Sequence, residues 1–107
     1  MNQHWTLNKM QINIEGHRLS LAGQIHFENV SAILEIGIQA IQAHPNLEID
    51  LEHLLHSDSS ACALFIEWLR KAQAQDRALH FLHIPQFMQN IATVYGLKQV
   101  LAASWEN

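Results

Sequence analysis

The chain has 107 residues, 49% of them hydrophobic and 15% charged, which suits one globular domain with a modest core and excludes a second. Six Lys and Arg stand against ten Asp and Glu, a formal charge of −4 with neutral histidines; with no basic cluster to meet phosphates, nucleic acid is excluded as a partner. The longest apolar run, Ala61 to Ile66, is far below the roughly 20 residues that cross a bilayer, Met1 to Met10 lacks the apolar core of a secretory signal, and a lone Cys62 excludes an internal disulfide and points to a reducing, cytoplasmic setting.

Residues 1–9 are expected to form a loose tail. A β-hairpin then turns at Glu15-Gly16, between Gln11 to Ile14 and Arg18 to Gly23, where Leu19 and Leu21 alternate with Ser20 and Ala22. From Val30 to Ala43 the period changes to that of a helix, with a core arc on Val30, Ile33, Leu34, Ile38 and Ile41, and His44-Pro45-Asn46 stops it. Leu47, Ile49 and Leu51 alternate with Glu48, Asp50 and Glu52, a strand with one packed and one partly wet face. A second helix over 60–75 starts at the capping residues Asp58-Ser59-Ser60 and has its core stripe on Ala61, Leu64, Phe65, Trp68, Leu69 and Ala72. Ala78 to Ile84 reads as a strand, and Pro85 opens a third helix that ends at Gly96, with a loose tail over 104–107. The fold class is thus α/β: a small mixed sheet of about four strands, with a parallel, right-handed βαβ unit at its centre and three helices packed mainly on one face.

Eight histidines invite a metal-site reading at His53-x-x-His56 and His80-x-x-His83. On a strand, however, residues three apart point to opposite faces, and no Cys or carboxylate set completes a site around His53 and His56, so no metal is expected. Ser59, Ser60 and Cys62 lack the context of a nucleophile elbow or triad, and Gly16, Gly23, Gly37 and Gly96 are too scattered for a phosphate loop. Neither catalytic residues nor a cofactor are expected.

The bland reading of Asp58-Ser59-Ser60 is helix capping, worth about 1 kcal/mol. The sharper one is docking or phosphorylation at a helix start, where exposed amides favour an added anion and Asp58 opposes it. Ala32, Ile36, Ala40 and Ala43 widen the apolar surface of the first helix beyond its core arc, and Cys62, Ala63 and Ile66, beside Glu67 and Arg70, do so on the second. Surplus apolar surface of this kind suits a protein partner.

The run Leu47 to Ala61, with its Asp58-Ser59-Ser60, followed by Leu64-Phe65-Ile66-Glu67-Trp68-Leu69-Arg70, resembles the STAS domain, the family of sulfate transporter and anti-sigma factor antagonist domains. The likeness continues through Ala78 to Pro85, Tyr95-Gly96-Leu97 and Val100-Leu101, and covers nearly all of the chain after Arg18. Within that family, the helix around Trp68 and the ending on Tyr95-Gly96-Leu97 are most similar to the MlaB-like stand-alone subunits of bacterial phospholipid-trafficking ABC transporters. Two positions depart from the pattern: Ala61 stands where a Gly is usual, and Gly23-Gln24-Ile25-His26 where many relatives carry an acidic residue.

The resemblance implies a non-enzymatic subunit that binds and supports the cytoplasmic ATPase of a transporter maintaining outer-membrane lipid asymmetry. Such a subunit is held at the inner membrane through the complex, without inserting. Its contact residues would be Asp58, Ser59, Ser60, Ala63, Ile66, Glu67 and Arg70, with Ile36 from the first helix. The alternative is an anti-sigma factor antagonist whose partner kinase phosphorylates Ser60. By position Ser59 matches the Thr or Ser after the motif Asp, and Ser60 either the serine phosphorylated in antagonists or the Gly found in transporter relatives, so the resemblance makes both candidate phosphorylation sites.

Overall fold

In the computed structural model, which describes residues 2–94, Gly96 and the backbone of residues 105 and 106, the chain forms β1 (Gln3–Leu7), β2 (Met10–Glu15), β3 (Arg18–Ile25), α1 (Val30–Ala43), β4 (Asn46–Asp50), β5 (Leu54–Ser57), α2 (Ser60–Ala74), β6 (Ala78–Leu82), α3 (Gln86–Val94) and β7 (Trp105–Glu106). One mixed sheet runs in the order β1-β2-β3-β4-β6-β7, with β5 paired to β3 beside β4. β1, β2 and β3 form an antiparallel meander, and β3, β4, β6 and β7 pair in parallel. The hairpin expected at Glu15-Gly16 is present: Glu15 pairs with Arg18, and Gly16 takes the left-handed φ of +59° that the two-residue turn needs.

Along β2, β3, β4 and β6 alternate residues are buried, among them Ile12, Leu19, Leu21, Leu47, Ile49 and Phe81, whereas Asn13, Ser20, Glu48 and His80 on the opposite alternates keep contact with solvent. The helices therefore cover one face of the sheet, as the hydrophobic pattern predicts. The α2 stripe of Ala61, Leu64, Phe65, Trp68, Leu69 and Ala72 is buried as expected, and Cys62 is buried with it instead of lying off the core. The Phe65 ring stands 5.7 Å from Trp68 and 5.0 Å from Phe81, so one aromatic column ties α2 to the centre of the sheet.

Two expectations need correction. The sheet has more than about four strands, because three short ones occupy segments expected as loops or tails. β1 lies within the supposed tail over 1–9: Trp5 and Leu7 stand opposite Ile12 and Met10 across the ladder and pack against the core. β5 forms where the loop before α2 was expected, and β7 falls within the supposed tail over 104–107. β5 and β7 are too short to show a period by themselves, β1 offers only Trp5 and Leu7 as apolar alternates, and each is set by pairing with a neighbouring strand.

The α1 arc is also rotated from the expected one. Ile33, Ile36, Gly37, Ala40 and Ile41 are buried, and Val30, Leu34 and Ile38 are only partly covered. On that side Gln3, Trp5 and Ile14 line a groove together with Ile36 and Ala40, so β1 and β2 reach the part of α1 expected to be free. Ile36 is 9% exposed and belongs to the core, not to a partner surface.

Candidate functional site at the start of α2

The parallel strands deliver three segments to one end of the sheet: the end of β3, the end of β5 and the first turn of α2. The Asp58 amide donates to the Ile25 carbonyl at 3.1 Å. Its carboxylate then bridges two elements. Oδ1 accepts the Ser60 amide at 2.9 Å and also the Ser60 hydroxyl, while Oδ2 accepts the Phe27 amide, in the loop before α1, at 3.2 Å. Ser59 stands at the N-cap position but makes no side-chain cap hydrogen bond. Of the three capping residues seen in the sequence, Asp58 alone satisfies an orphan amide of the helix start. Burial pushes the Asp58 carboxyl upward, but the Ser60 hydroxyl, the Ser60 and Phe27 amides and the nearby His26 outweigh it and hold the pKa below the ordinary 3.8.

Beside this bridge a groove of about 310 Å³ opens between α1 and α2, lined by Val30, Ser31 and Leu34 on one wall and Ser60, Ala63, Leu64 and Glu67 on the other. Three of the residues singled out in the sequence, Ser60, Ala63 and Glu67, line it; Asp58 and Ser59 stand at its end, and Arg70 reaches its rim through an ion pair with Glu67 at 2.9 Å. Ile66 is not a lining residue and packs partly buried against the core. Val30, Ser31 and Leu34 were missed. Val30 and Leu34 fit the helical period of a core face, but both are only partly covered and line the groove against α2.

Ser59 is exposed, whereas Ser60 is half-buried with its hydroxyl given to Asp58. A larger groove, of about 660 Å³, lies between the β1–β2 turn and β5, lined by Lys9, Met10, His53 and Leu55 among others, and includes none of the residues predicted for the site. His53 and His56 are exposed on and beside β5. His83 lies past the end of β6 at φ +55° and meets Asp50 at 3.0 Å and Glu52 at 3.9 Å. Those three side chains bring ligand-type atoms within 4.8 Å of one another, but Arg18, at 3.7 Å from Asp50, already supplies a cation to the cluster. It is satisfied as an ion-pair group on the open face of the sheet. Burial raises the Asp50 pKa, yet the His83 hydrogen bond, the Glu52 amide and the His83 and Arg18 charges bring it below its ordinary value. Cys62, buried among apolar neighbours, has its thiol pKa pushed up and is not poised as a nucleophile.

A parallel-centred α/β sheet with helices on one face and an Asp-Ser-Ser turn opening the central crossover helix defines a STAS-type binding domain. The chain belongs to the family described as "Mlab, STAS domain", which matches residues 9–102. Domains of this family act by binding partner proteins. No curated protein matches the sequence.

Solved structures give the same fold. The anti-sigma factor antagonist SpoIIAA in its unphosphorylated form is 18% identical with a TM-score of 0.60, over 87% of this chain and 82% of that one. The phosphorylated form of the Bacillus cell fate determinant SpoIIAA gives 17% identity and a TM-score of 0.65, over 99% and 89%. SiaC from Pseudomonas aeruginosa, in its apo form, gives 16% and 0.56, over 90% of each chain. Among the described residues no helix is long and apolar enough to cross a membrane.

Proposed function

We propose that the chain is a non-enzymatic STAS subunit that binds and supports the cytoplasmic ATPase of a phospholipid-transport ABC complex, one that maintains outer-membrane lipid asymmetry. It is held peripherally at the inner membrane through that complex, needs no cofactor or metal, and does not itself insert. The observation that carries this reading is the groove between α1 and α2, set beside Asp58 and Ser59 in a chain of the MlaB-like family. Val30, Leu34, Ala63 and Leu64 give it an apolar lining, and Asp58, Glu67 and Arg70 give it a charged rim, the make-up of a protein contact with an apolar centre and a polar edge.

A second reading is an anti-sigma factor antagonist switched by a kinase. It is favoured by the likeness to SpoIIAA, which is solved in both unphosphorylated and phosphorylated forms. Here the accessible hydroxyl is Ser59, because that of Ser60 is engaged by Asp58. Phosphate on either serine would stand beside the Asp58 carboxylate and oppose it. The test is a tagged pull-down from the native cell, with intact-mass analysis of the recovered chain. An ABC ATPase and its permease, recovered with unphosphorylated protein, support the transporter reading. A serine kinase or sigma-factor regulator, together with phosphate on Ser59 or Ser60, replaces it with the switch.

A further inference from the structure

Phe27 is 76% exposed, one of three large hydrophobic side chains bare to solvent among the described residues. Its loop is nevertheless held on every side. The buried Asn29 accepts the His26 amide at 3.0 Å through Oδ1 and donates through Nδ2 to the carbonyls of Asn8 and Gln24, both at 2.8 Å. The Asn29 and Val30 amides close onto the His26 carbonyl at 3.0 Å, and the Asp58 carboxylate takes the Phe27 amide itself. These bonds fix the backbone that carries the Phe27 ring, so little further backbone order is lost when the ring is bound.

Phe27 also precedes Val30 and Ser31, which line the α1 wall of the groove, and it is tied through Asp58 to Ser60 on the other wall, so it continues the surface described above. The charges at this end are acidic in balance: Glu28 follows Phe27, Asp58 takes the Phe27 amide, Glu35 lies further along α1 and Glu67 on α2, against Lys9 in the turn that anchors the loop, Arg70 paired to Glu67, and Lys71.

We propose that Phe27 is an anchor of the partner interface, entering an apolar pocket on the ATPase whose rim carries Lys or Arg to meet Glu28 and Asp58. This inference rests on the ATPase reading and extends it by naming a residue outside the Asp-Ser-Ser turn and the chemistry of the surface it meets. Buried aromatic anchors of this kind dominate interface energetics, whereas rim charges add little affinity and mainly set orientation and encounter rate.

The experiment uses the full chain with the purified ATPase, in two arms. Phe27→Ala is expected to bind at least about tenfold more weakly, with thermal midpoint unchanged because the ring is exposed. A benzophenone photo-crosslinker at position 27, and separately at position 63, is expected to form adducts with the ATPase from both positions. Unweakened binding by Phe27→Ala, with an adduct from position 63 but none from 27, overturns the anchor and keeps the ATPase reading. A wild-type chain with no affinity for the ATPase, and no adduct from either position, overturns both.

Discussion

The indole of Trp68 occupies the space that a side chain at position 37 would need: a Cβ built on Gly37 runs into the Trp68 ring, which is fully buried. The ring also donates its Nε1–H to the carbonyl of Leu34, on α1 one turn before Gly37, at 3.1 Å. A glycine inside a helix costs about 1 kcal/mol relative to alanine. Here it lets α1 and α2 approach closely enough to share Trp68, and that approach sets the width of the groove between them.

Gly37→Ala should therefore destabilise the fold by about 2 kcal/mol, despite the better helix propensity of alanine, because the large buried indole cannot move aside without strain. The check is the urea midpoint at unchanged slope. A gain in stability would show that the helices are not in close contact at this point.

At the head of α2 the structure separates three residues that look equivalent in sequence. Asp58→Ala removes the acceptor of the Ser60 and Phe27 amides and should cost about 1–2 kcal/mol. Ser59→Ala removes no cap hydrogen bond and should change stability by less than about 0.5 kcal/mol. Equilibrium unfolding of the two variants checks the pair, and equal losses would contradict the assigned roles.

The pairing of His83 with Asp50 makes a definite pH signature. The Asp50 hydrogen bond and the Asp50 and Glu52 charges raise the His83 pKa above its ordinary 6.5. A raised histidine stabilises the fold fully below that ordinary value, and the contribution disappears as pH rises through the higher folded value. The depressed Asp50 behaves oppositely: its contribution is present above the ordinary 3.8 and lost as pH falls through the lower folded value. Wild type should thus exceed His83→Gln in stability most between pH 3.8 and 6.5, with the difference vanishing in alkali. The excess should shrink in high salt, since His83 is half exposed. Thermal midpoints of both proteins across pH test this, and an excess that grew with rising pH would contradict it.

Cys62, 3% exposed and with its thiol pKa raised, should resist a thiol reagent in the native state and react at the rate of unfolding. Fast labelling of the native protein, followed by absorbance, would contradict its burial.

Much of this organisation is legible in the sequence, and what is not has definite physical causes. The hairpin at Gly16, the strand from Leu47 and the α2 stripe through Trp68 carry strong periodicity, the strand from Ala78 shows as a short apolar run, and all are present. β1 is not legible because Trp5 and Leu7 alone cannot announce a strand; it exists by pairing with Ile12 and Met10. That single omission misplaces Ile36, since a helix wheel shows an apolar arc but not how far the sheet beneath it extends. Asp58, Ser60, Ala63 and Glu67 are legible as neighbours at the start of α2. Phe27 and Leu34 are not, since their place beside that turn depends on a hydrogen bond from residue 27 to residue 58 and on the packing of α1 against α2. The role of Gly37 is invisible for the same reason: it is defined by a Trp on another helix.

The most direct test of the central claim is the affinity of the purified full chain for the transporter ATPase, for wild type, Ala63→Arg and Gln11→Arg. Ala63 is exposed and lines the groove, and Gln11 is exposed on β2, away from it, so neither substitution disturbs the core. The account predicts that wild type and Gln11→Arg bind alike while Ala63→Arg loses binding. Equal binding by all three, or no binding by the wild type, would contradict it.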